Sequence, residues 1–273
     1  MAAPGDQGPK STLDAAGYSW RDLALWTAVF AAVAGVLATF MDHTAGGVFF
    51  GLQQIAAWFD GGPKPDVVTY PIWGLAWVLW LIPSVTAVLV LQVLVGSLAA
   101  AALFLRIRCE LSSGALLLVA LFLTCMPWYV TLIKPYPQGF AGAFAIGGIL
   151  FAERAWRRGQ ITDSVASGLL FGAAQNFRSE LVLLPLFCFG VVFVLRQIRP
   201  WRPMRTMGWA VGIALLCQVP WALHYRKETG HVRLTESTGP AAMYGALGQL
   251  PGNPWGIEFH DRFLEELIAN AGY

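Results

Sequence analysis

Charged side chains are scarce in this 273-residue chain: only 12% of its residues are Asp, Glu, Lys or Arg, while 56% are hydrophobic. A soluble domain carries about 25% charged residues, so about half of the usual solvating surface is missing. A chain of this length cannot hide so much apolar area in one core, which argues against a soluble enzyme. The net charge of +2 provides no basic surface for DNA or RNA. The composition predicts a membrane protein.

Paired cysteines and the common hydrolase motifs are also missing. The four cysteines stand singly in or beside apolar runs, without the spacing of a zinc or redox site: Cys109, Cys125, Cys188 and Cys217. The sequence contains no HExxH, no GxSxG and no Cys/His cluster. We therefore predict no metal site, and nothing in the sequence supports a hydrolase.

Long runs without Lys, Arg, Asp or Glu dominate the chain, and a membrane-spanning helix needs ~20 mostly apolar residues. These runs cover 23–41, 67–105, 111–133, 135–152, 164–177, 181–195 and 206–225. The second run is too long for one span. Pro83-Ser84 divides it into a short aromatic piece near the interface and a full span that starts at about Val85. We predict an all-α, polytopic membrane helix bundle with about seven spans.

The arginines give the bundle a predicted orientation, because they fall in alternate loops: Arg106, Arg108, Arg154, Arg157, Arg158, Arg196, Arg199, Arg202 and Arg205. By the positive-inside rule, these loops and the N-terminus are cytoplasmic. The chain then divides into a disordered N-terminus at 1–18, a membrane-embedded part at 19–224 with a first outer loop at 42–69, and an outward-facing segment at 225–273.

The first outer loop contains a predicted amphipathic helix that lies on the outer membrane surface. Its apolar side chains share one helical face: Val48, Leu52, Ile55, Ala56 and Phe59. Gly61-Gly62-Pro63 ends this helix. We interpret Asp60 and Asp66, which lie in the loop after it, as solvated rather than catalytic.

Ionisable side chains at the outer ends of the spans are the candidates for chemistry. Asp42, followed by His43, either serves as a general base or simply ends the first span among the headgroups. Lys134 begins a turn stiffened by two prolines, which can hold the cation toward an anionic ligand or a lipid headgroup. Arg178 and Glu180 separate two short apolar runs. Either Arg178 binds a phosphate while Glu180 orients another group, or the two form a plain outer turn.

Taken in order, several motifs resemble the GT-C superfamily of membrane glycosyltransferases, above all the group of protein O-mannosyltransferases and the lipid A aminoarabinose transferase. The motifs are Asp42, Tyr70-Pro71, Gly168-Leu169-Leu170-Phe171-Gly172, Arg178-Ser179-Glu180, Leu183-Leu184-Pro185, Pro220-Trp221 with Tyr225-Arg226, and Gly230 with Ser237-Thr238-Gly239. The family usually has Arg-Pro-Glu in place of Arg-Ser-Glu, often a second acid at His43, and commonly Arg-Asn at His224-Tyr225. The likeness covers about Leu23 to the C-terminus.

The resemblance implies a GT-C bundle in a bacterial inner membrane. It implies inverting transfer of a hexosyl or pentosyl group from a polyprenyl-phosphate donor to an acceptor hydroxyl of a glycan, lipid or protein on the outer, periplasmic or luminal, side. The implied roles are general base for Asp42, donor-phosphate binding for Lys134, Arg178 and Arg226, and support for His43, Tyr70 and Glu180. Some members use a divalent cation, Mg or Mn.

Family members generally continue through several more spans, so we expect a chain that lacks the C-terminal part. Three alternatives stay open: a fragment, a natural short form, or half of a two-chain enzyme in which a partner chain supplies the missing spans. Two other functional classes stay open. One is a transporter or flippase for a lipid-linked sugar, and the other is a non-catalytic membrane subunit of a larger complex. A transporter is expected to carry ionisable residues in mid-span, whereas here they gather at the span ends. That placement favours chemistry at one membrane surface.

Overall fold

The computed structural model describes residues 19–40, 54–63, 73–109, 126–134, 137–195 and 202–230, and also positions 114, 116–117, 120 and 232. All regular structure within these residues is helical, and none of them forms a strand. The all-α prediction is therefore confirmed for the part of the chain that the structure describes.

The described helices are numbered here in chain order. They are α1 (Trp20–Ala38), α2 (54–59), α3 (Trp73–Leu81), α4 (Val85–Arg108), α5 (Met126–Ile133), α6 (Pro137–Arg158), α7 (Ile161–Phe177), α8 (Leu183–Leu195), α9 (Arg202–Leu216) and α10 (Val219–Thr229). A 3₁₀ turn at Ser179–Val182 joins α7 to α8.

Three described stretches are long and apolar enough to cross a membrane. They are Trp20–Ala38, Val85–Arg108 and Arg205–Lys227, the last of which runs from α9 into α10. Seven spans therefore stay a prediction.

Cys217 and Gln218 form a turn inside the predicted run 206–225. The helix restarts there because Pro220, which has no backbone N–H, fits the first turn of a new helix better than the interior of a continuous one.

The predicted division at Pro83-Ser84 is confirmed, since α3 ends at Leu81 and α4 begins at Val85. Proline disfavours helical backbone at the preceding residue, which ends α3. Ser84 then starts the next helix as its N-cap, because its Oγ accepts a hydrogen bond from the backbone N–H of Ala87 at 3.3 Å.

Helices α4 and α6 run side by side in the same direction. Near their first turns, Gln92 of α4 lies against Gly139 of α6, and near their last turns Arg106 forms an ion pair with Glu153. Helix α1 runs opposite to α4, because Trp26 near its start contacts Phe104 near the end of α4, with ring centroids 4.3 Å apart. These relative directions agree with the alternation derived from the arginine-rich loops.

Glycines let α6, α7 and α9 approach closely. A Cβ on Gly148 of α6 would lie 2.6 Å from the Phe171 ring of α7. A Cβ on Gly168 of α7 would lie 2.7 Å from the carbonyl oxygen of Ala210 in α9. Any side chain at these two positions would therefore force the helices apart.

Ion pairs join the helices at the end of the bundle where α4 and α6 finish. Arg106 Nε donates to Glu153 Oε2 at 2.8 Å, and Arg157 Nε lies 2.8 Å from Glu153 Oε1. Arg154 pairs with buried Asp163 at 3.5 Å. We call this end, defined by these five residues, the arginine end. The opposite end, which contains Lys134 after α5 and Arg178 after α7, is the Lys134–Arg178 end.

Candidate functional site

The predicted site residues fall into three groups in the structure. Those described with their side chains are Lys134, Arg178 and Arg226. Glu180 is described only by its backbone, in the 3₁₀ turn. Asp42, His43 and Tyr70 lie outside the described residues.

Arg178 lies at the break between α7 and the 3₁₀ turn. Its backbone leaves the helical region (φ −147°, ψ 104°), which ends α7 at Phe177. Its N–H still donates to the carbonyl of Ala174 at 2.9 Å, and its own carbonyl accepts from the N–H of Leu181 at 3.1 Å. The backbone thus holds the half-buried Arg178 between α7 and α8. An ionisable side chain near a membrane is costly to place there, which makes Arg178 a candidate functional residue.

Lys134 follows the last residue of α5 and is also half-buried. The side chain of Gln92 in α4 donates from Nε2 to the carbonyl oxygen of Lys134 at 2.8 Å. The same Nε2 lies 2.7 Å from the carbonyl oxygen of Thr131 and 2.9 Å from that of Leu132. The backbone that carries the lysine is therefore attached to a neighbouring helix.

Lys134 and Arg178 share one end of the bundle because α6 and α7 form an antiparallel pair. Phe140 in the first turn of α6 stacks on Phe177, the last residue of α7, with ring centroids 5.1 Å apart. Lys134 lies three residues before Pro137, where α6 begins, and Arg178 directly follows Phe177. The predicted phosphate-binding cations are thus brought to the same region.

Helices α2 and α3 pack onto this region through one apolar cluster. Its buried members come from α2, α3, α4, α6 and α7: Ile55, Ala56, Leu75, Ala76, Leu79, Val88, Phe140, Ala141 and Phe177. Gly74 allows the close approach, since a Cβ there would lie 2.8 Å from the Phe177 ring. In α2, Ile55 and Ala56 are buried while Gln54 is exposed, which agrees with the predicted apolar face of this helix. The position of α2 on the membrane surface stays a prediction.

Helix α10 brings Arg226 to the same end. The His224 ring of α10 lies 6.0 Å from the Trp58 ring of α2. Tyr225 is buried, whereas Arg226 beside it is exposed. Gly230 ends the helix in the left-handed conformation (φ +77°), and its N–H donates to the carbonyl of Arg226 at 2.9 Å.

The charges of this end differ from those of the arginine end. Among the described residues, no carboxylate lies within ion-pair distance of Lys134 or Arg226. The described residues also contain no group of three or more His, Cys, Asp or Glu side chains that could hold a metal ion. The resemblance leaves the use of Mg or Mn open, and no described residue tests it.

Gln92 is the residue of this region that the sequence analysis missed. It is the one amide side chain in the apolar run 67–105. A polar group inside a predicted span is costly unless it has a structural or functional partner. That rule identifies Gln92 as a candidate structural or functional residue from the sequence. The sequence alone does not show that its partner is the backbone around Lys134.

The family of the chain follows from a comparison with protein-family models. The model described as dolichyl-phosphate-mannose-protein mannosyltransferase matches residues 67–224, more than half of the chain. This protein belongs to the dolichyl-phosphate-mannose-protein mannosyltransferase family. The GT-C resemblance is thereby confirmed. Searches of curated proteins and of solved structures gave no match.

Membership in this mannosyltransferase family supports a membrane glycosyltransferase that uses a lipid-linked sugar donor. The matched region contains Tyr70, Lys134, Arg178 and Glu180. Asp42, with His43, precedes it, and Arg226 lies two residues beyond it. The assignment of a general base therefore rests on the order of the motifs rather than on the family match.

Proposed function

We propose that this chain transfers a mannosyl group from a polyprenyl-phosphate donor to an acceptor hydroxyl on the outer side of a bacterial inner membrane. The observation that supports this function best is the family match over 67–224, which includes two cations, Lys134 and Arg178, at one end of the helix bundle. In this proposal the Lys134–Arg178 end faces outward and the arginine end faces the cytoplasm, as the positive-inside rule predicts.

The chemistry explains why cations belong at this end. When the sugar leaves its carrier, negative charge increases on the oxygen of the departing polyprenyl phosphate. Placed cations stabilise such charge most where water is partly excluded. Arg178 can bind two phosphate oxygens with its planar guanidinium, Lys134 supplies a compact charge, and exposed Arg226 is the third candidate. The apolar helix surfaces beside these residues suit the polyprenyl chain.

Asp42 is the proposed general base. It removes the proton from the acceptor hydroxyl while that oxygen bonds to the anomeric carbon; the bond from this carbon to the phosphate oxygen breaks, with inversion. Polyprenyl phosphate leaves with the electron pair. The direction of α1 supports this role, because α1 starts beside the end of α4 and finishes toward the Lys134–Arg178 end, four residues before Asp42. His43, Tyr70 and Glu180 are proposed to support the bound sugar.

Asp42→Asn tests the base assignment. A positioned carboxylate base contributes typically ~10²–10⁴-fold in rate, so we expect a loss of that size. Transfer of labelled mannose is measured in membranes that contain the polyprenyl-phosphate donor and the acceptor fraction. Asp60→Asn is the matched control, because Asp60 lies in the same predicted outer loop but is exposed and accepts a hydrogen bond from Trp80 Nε1 at 2.6 Å. Full activity of the Asp42 variant would show that Asp42 is not the base.

A further inference from the structure

Gln92 makes an unusual set of contacts for a residue inside an apolar helix. It is fully buried in α4, and its Nε2 lies within hydrogen-bond distance of the carbonyl oxygens of Thr131, Leu132 and Lys134, at 2.7, 2.9 and 2.8 Å. These carbonyls belong to the last turn of α5 and to the residue after it. One side chain thus holds the segment that carries a candidate phosphate-binding cation.

The end of α5 needs such a partner. The last four carbonyls of a helix have no partner within the helix, and water cannot supply one in apolar surroundings. Of the two polar atoms of the Gln92 amide, only the nitrogen can serve, because carbonyl oxygens accept hydrogen bonds and the amide oxygen does not donate. Its NH₂ group has two hydrogens for three acceptors, so at least one hydrogen is shared.

The first turn of α6 closes over the same contact. A Cβ on Gly139 would lie 2.6 Å from the carbonyl oxygen of Thr131 and 2.7 Å from Gln92 Nε2. Glycine at 139 therefore allows α6 to pack on the hydrogen bonds between α4 and α5. Three helices meet at the backbone that precedes Lys134, which leaves the lysine little freedom at its Cα.

We propose that Gln92 is a positioning residue of the donor site, which fixes the end of α5 so that Lys134 stands at the donor phosphate. The inference rests on the proposed function, in which Lys134 binds that phosphate. Without the amide, the last turn of α5 loses its shared donor and opens. The cation then spends less time at the phosphate, and the donor KM rises.

A double-mutant cycle tests this inference with Gln92→Met, Lys134→Met and the combined variant. Donor KM and kcat are measured on the full chain in lipid nanodiscs with polyprenyl-phosphate mannose. A hydrogen bond to a charged group is worth a factor of about 10–100 in affinity, so we expect Lys134→Met to raise the donor KM by that factor. Gln92→Met should raise it about tenfold, and the combined variant should match Lys134→Met because the two residues act as one unit.

Ser167→Ala is the matched control, because Ser167 Oγ is also buried and also donates to a backbone carbonyl, that of Gly148 at 2.9 Å. It should leave the donor KM unchanged. Hydrogen exchange of the amides in 126–134 gives a second readout: it should increase in Gln92→Met and stay unchanged in Ser167→Ala. If Gln92→Met does not fold, Gln92→Asn, whose amide is one methylene shorter, takes its place and should give a smaller rise in KM.

The outcomes separate this inference from the proposed function. If Lys134→Met leaves the donor KM unchanged, Lys134 does not bind the phosphate, and the proposed site is wrong at that residue. If Lys134→Met raises the KM but Gln92→Met has no effect, or multiplies the effect of the lysine variant, the proposed site stands and the positioning role of Gln92 is overturned.

Discussion

The two ends of the helix bundle are held together by different forces. At the arginine end, Glu153 pairs with both Arg106 and Arg157, and Asp163 pairs with Arg154. At the Lys134–Arg178 end, the described contacts are aromatic stacking, such as Phe140 on Phe177, and hydrogen bonds from the Gln92 amide to backbone. The contacts cited for the arginine end are ion pairs, whereas those cited for the Lys134–Arg178 end are aromatic stacking and hydrogen bonds from a neutral amide.

This difference in contacts favours the Lys134–Arg178 end as the place where the proposed donor phosphate binds. Glu153 offsets one of the two positive charges that it contacts, and Asp163 offsets that of Arg154, so these side chains act mainly in holding the helices together. Lys134 and Arg226 have no ion pair within the described part of the chain. Their positive charge is therefore not cancelled by a described acid and can act on a donor phosphate. The predictions below test this division of roles.

Among the variants that compare the two ends of the bundle, Arg178→Ala is expected to have the largest effect. Removal of a placed donor to a developing negative charge costs about 10²–10³-fold in rate, so kcat/KM for polyprenyl-phosphate mannose should fall by about that factor. Arg157→Ala is the matched arginine at the other end, with a side chain that is 54% exposed. It should leave kcat/KM unchanged in steady-state assays. Equal losses of kcat/KM in Arg178→Ala and Arg157→Ala would contradict the proposal that only the Lys134–Arg178 end binds the donor.

Gly139→Ala should weaken both the fold and donor binding. The added methyl group would contact Thr131 O and Gln92 Nε2 at 2.6 and 2.7 Å, and overpacking of this kind costs about 1–3 kcal/mol. Thermal unfolding in detergent micelles and the donor KM measure the two effects. Gly212→Ala is the control, because a Cβ there meets no atom within 4 Å. That control should gain up to about 1 kcal/mol, since alanine favours a helix over glycine.

Glu153→Gln should lower stability without lowering activity. The variant keeps the shape of the side chain but loses its charge toward Arg106 and Arg157. Hydrogen bonds to charged groups are worth about 1.5–3 kcal/mol when buried; these partners are only partly buried, so we expect a loss of about 1 kcal/mol. Thermal unfolding gives the stability, and kcat/KM per folded molecule should equal that of the wild type. A lower kcat/KM would assign a role in catalysis to the arginine end.

The smallest effect is expected from Asp60→Asn. Asp60 is exposed, and an asparagine Oδ1 can still accept the hydrogen bond from Trp80 Nε1. Transfer activity should stay within about twofold, since a surface substitution of this kind usually changes little. A loss of a hundredfold or more would place Asp60 in the reaction and would remove the reason for preferring Asp42.

Local features of this fold could be predicted from the sequence because they depend on residues close in the chain. Pro83-Ser84 divides α3 from α4 through the missing N–H of proline and the capping hydroxyl of serine. The alternation of arginine-rich loops likewise predicted the relative directions of α1, α4 and α6.

Other features depend on contacts between distant residues, which the sequence does not show. Gln92 reaches a segment about forty residues away, and an isolated glutamine in an apolar run does not reveal its partner. The run 206–225 falls within the candidate span Arg205–Lys227, but the turn at Cys217 and Gln218, which interrupts its helix before Pro220, was not predicted. Three residues with predicted roles in the site lie outside the described residues: Asp42, His43 and Tyr70.

The most direct test of the central claim follows labelled mannose from donor to acceptor. The purified full chain is placed in vesicles that contain radiolabelled polyprenyl-phosphate mannose, and a membrane extract supplies acceptors. We predict that label leaves the donor lipid and enters a product, that polyprenyl phosphate is released in equal amount, and that Asp42→Asn slows both by ~10²–10⁴-fold. Donor that stays chemically intact, whether it crosses between leaflets or remains in place, would contradict a glycosyltransferase and favour a flippase or a non-catalytic subunit.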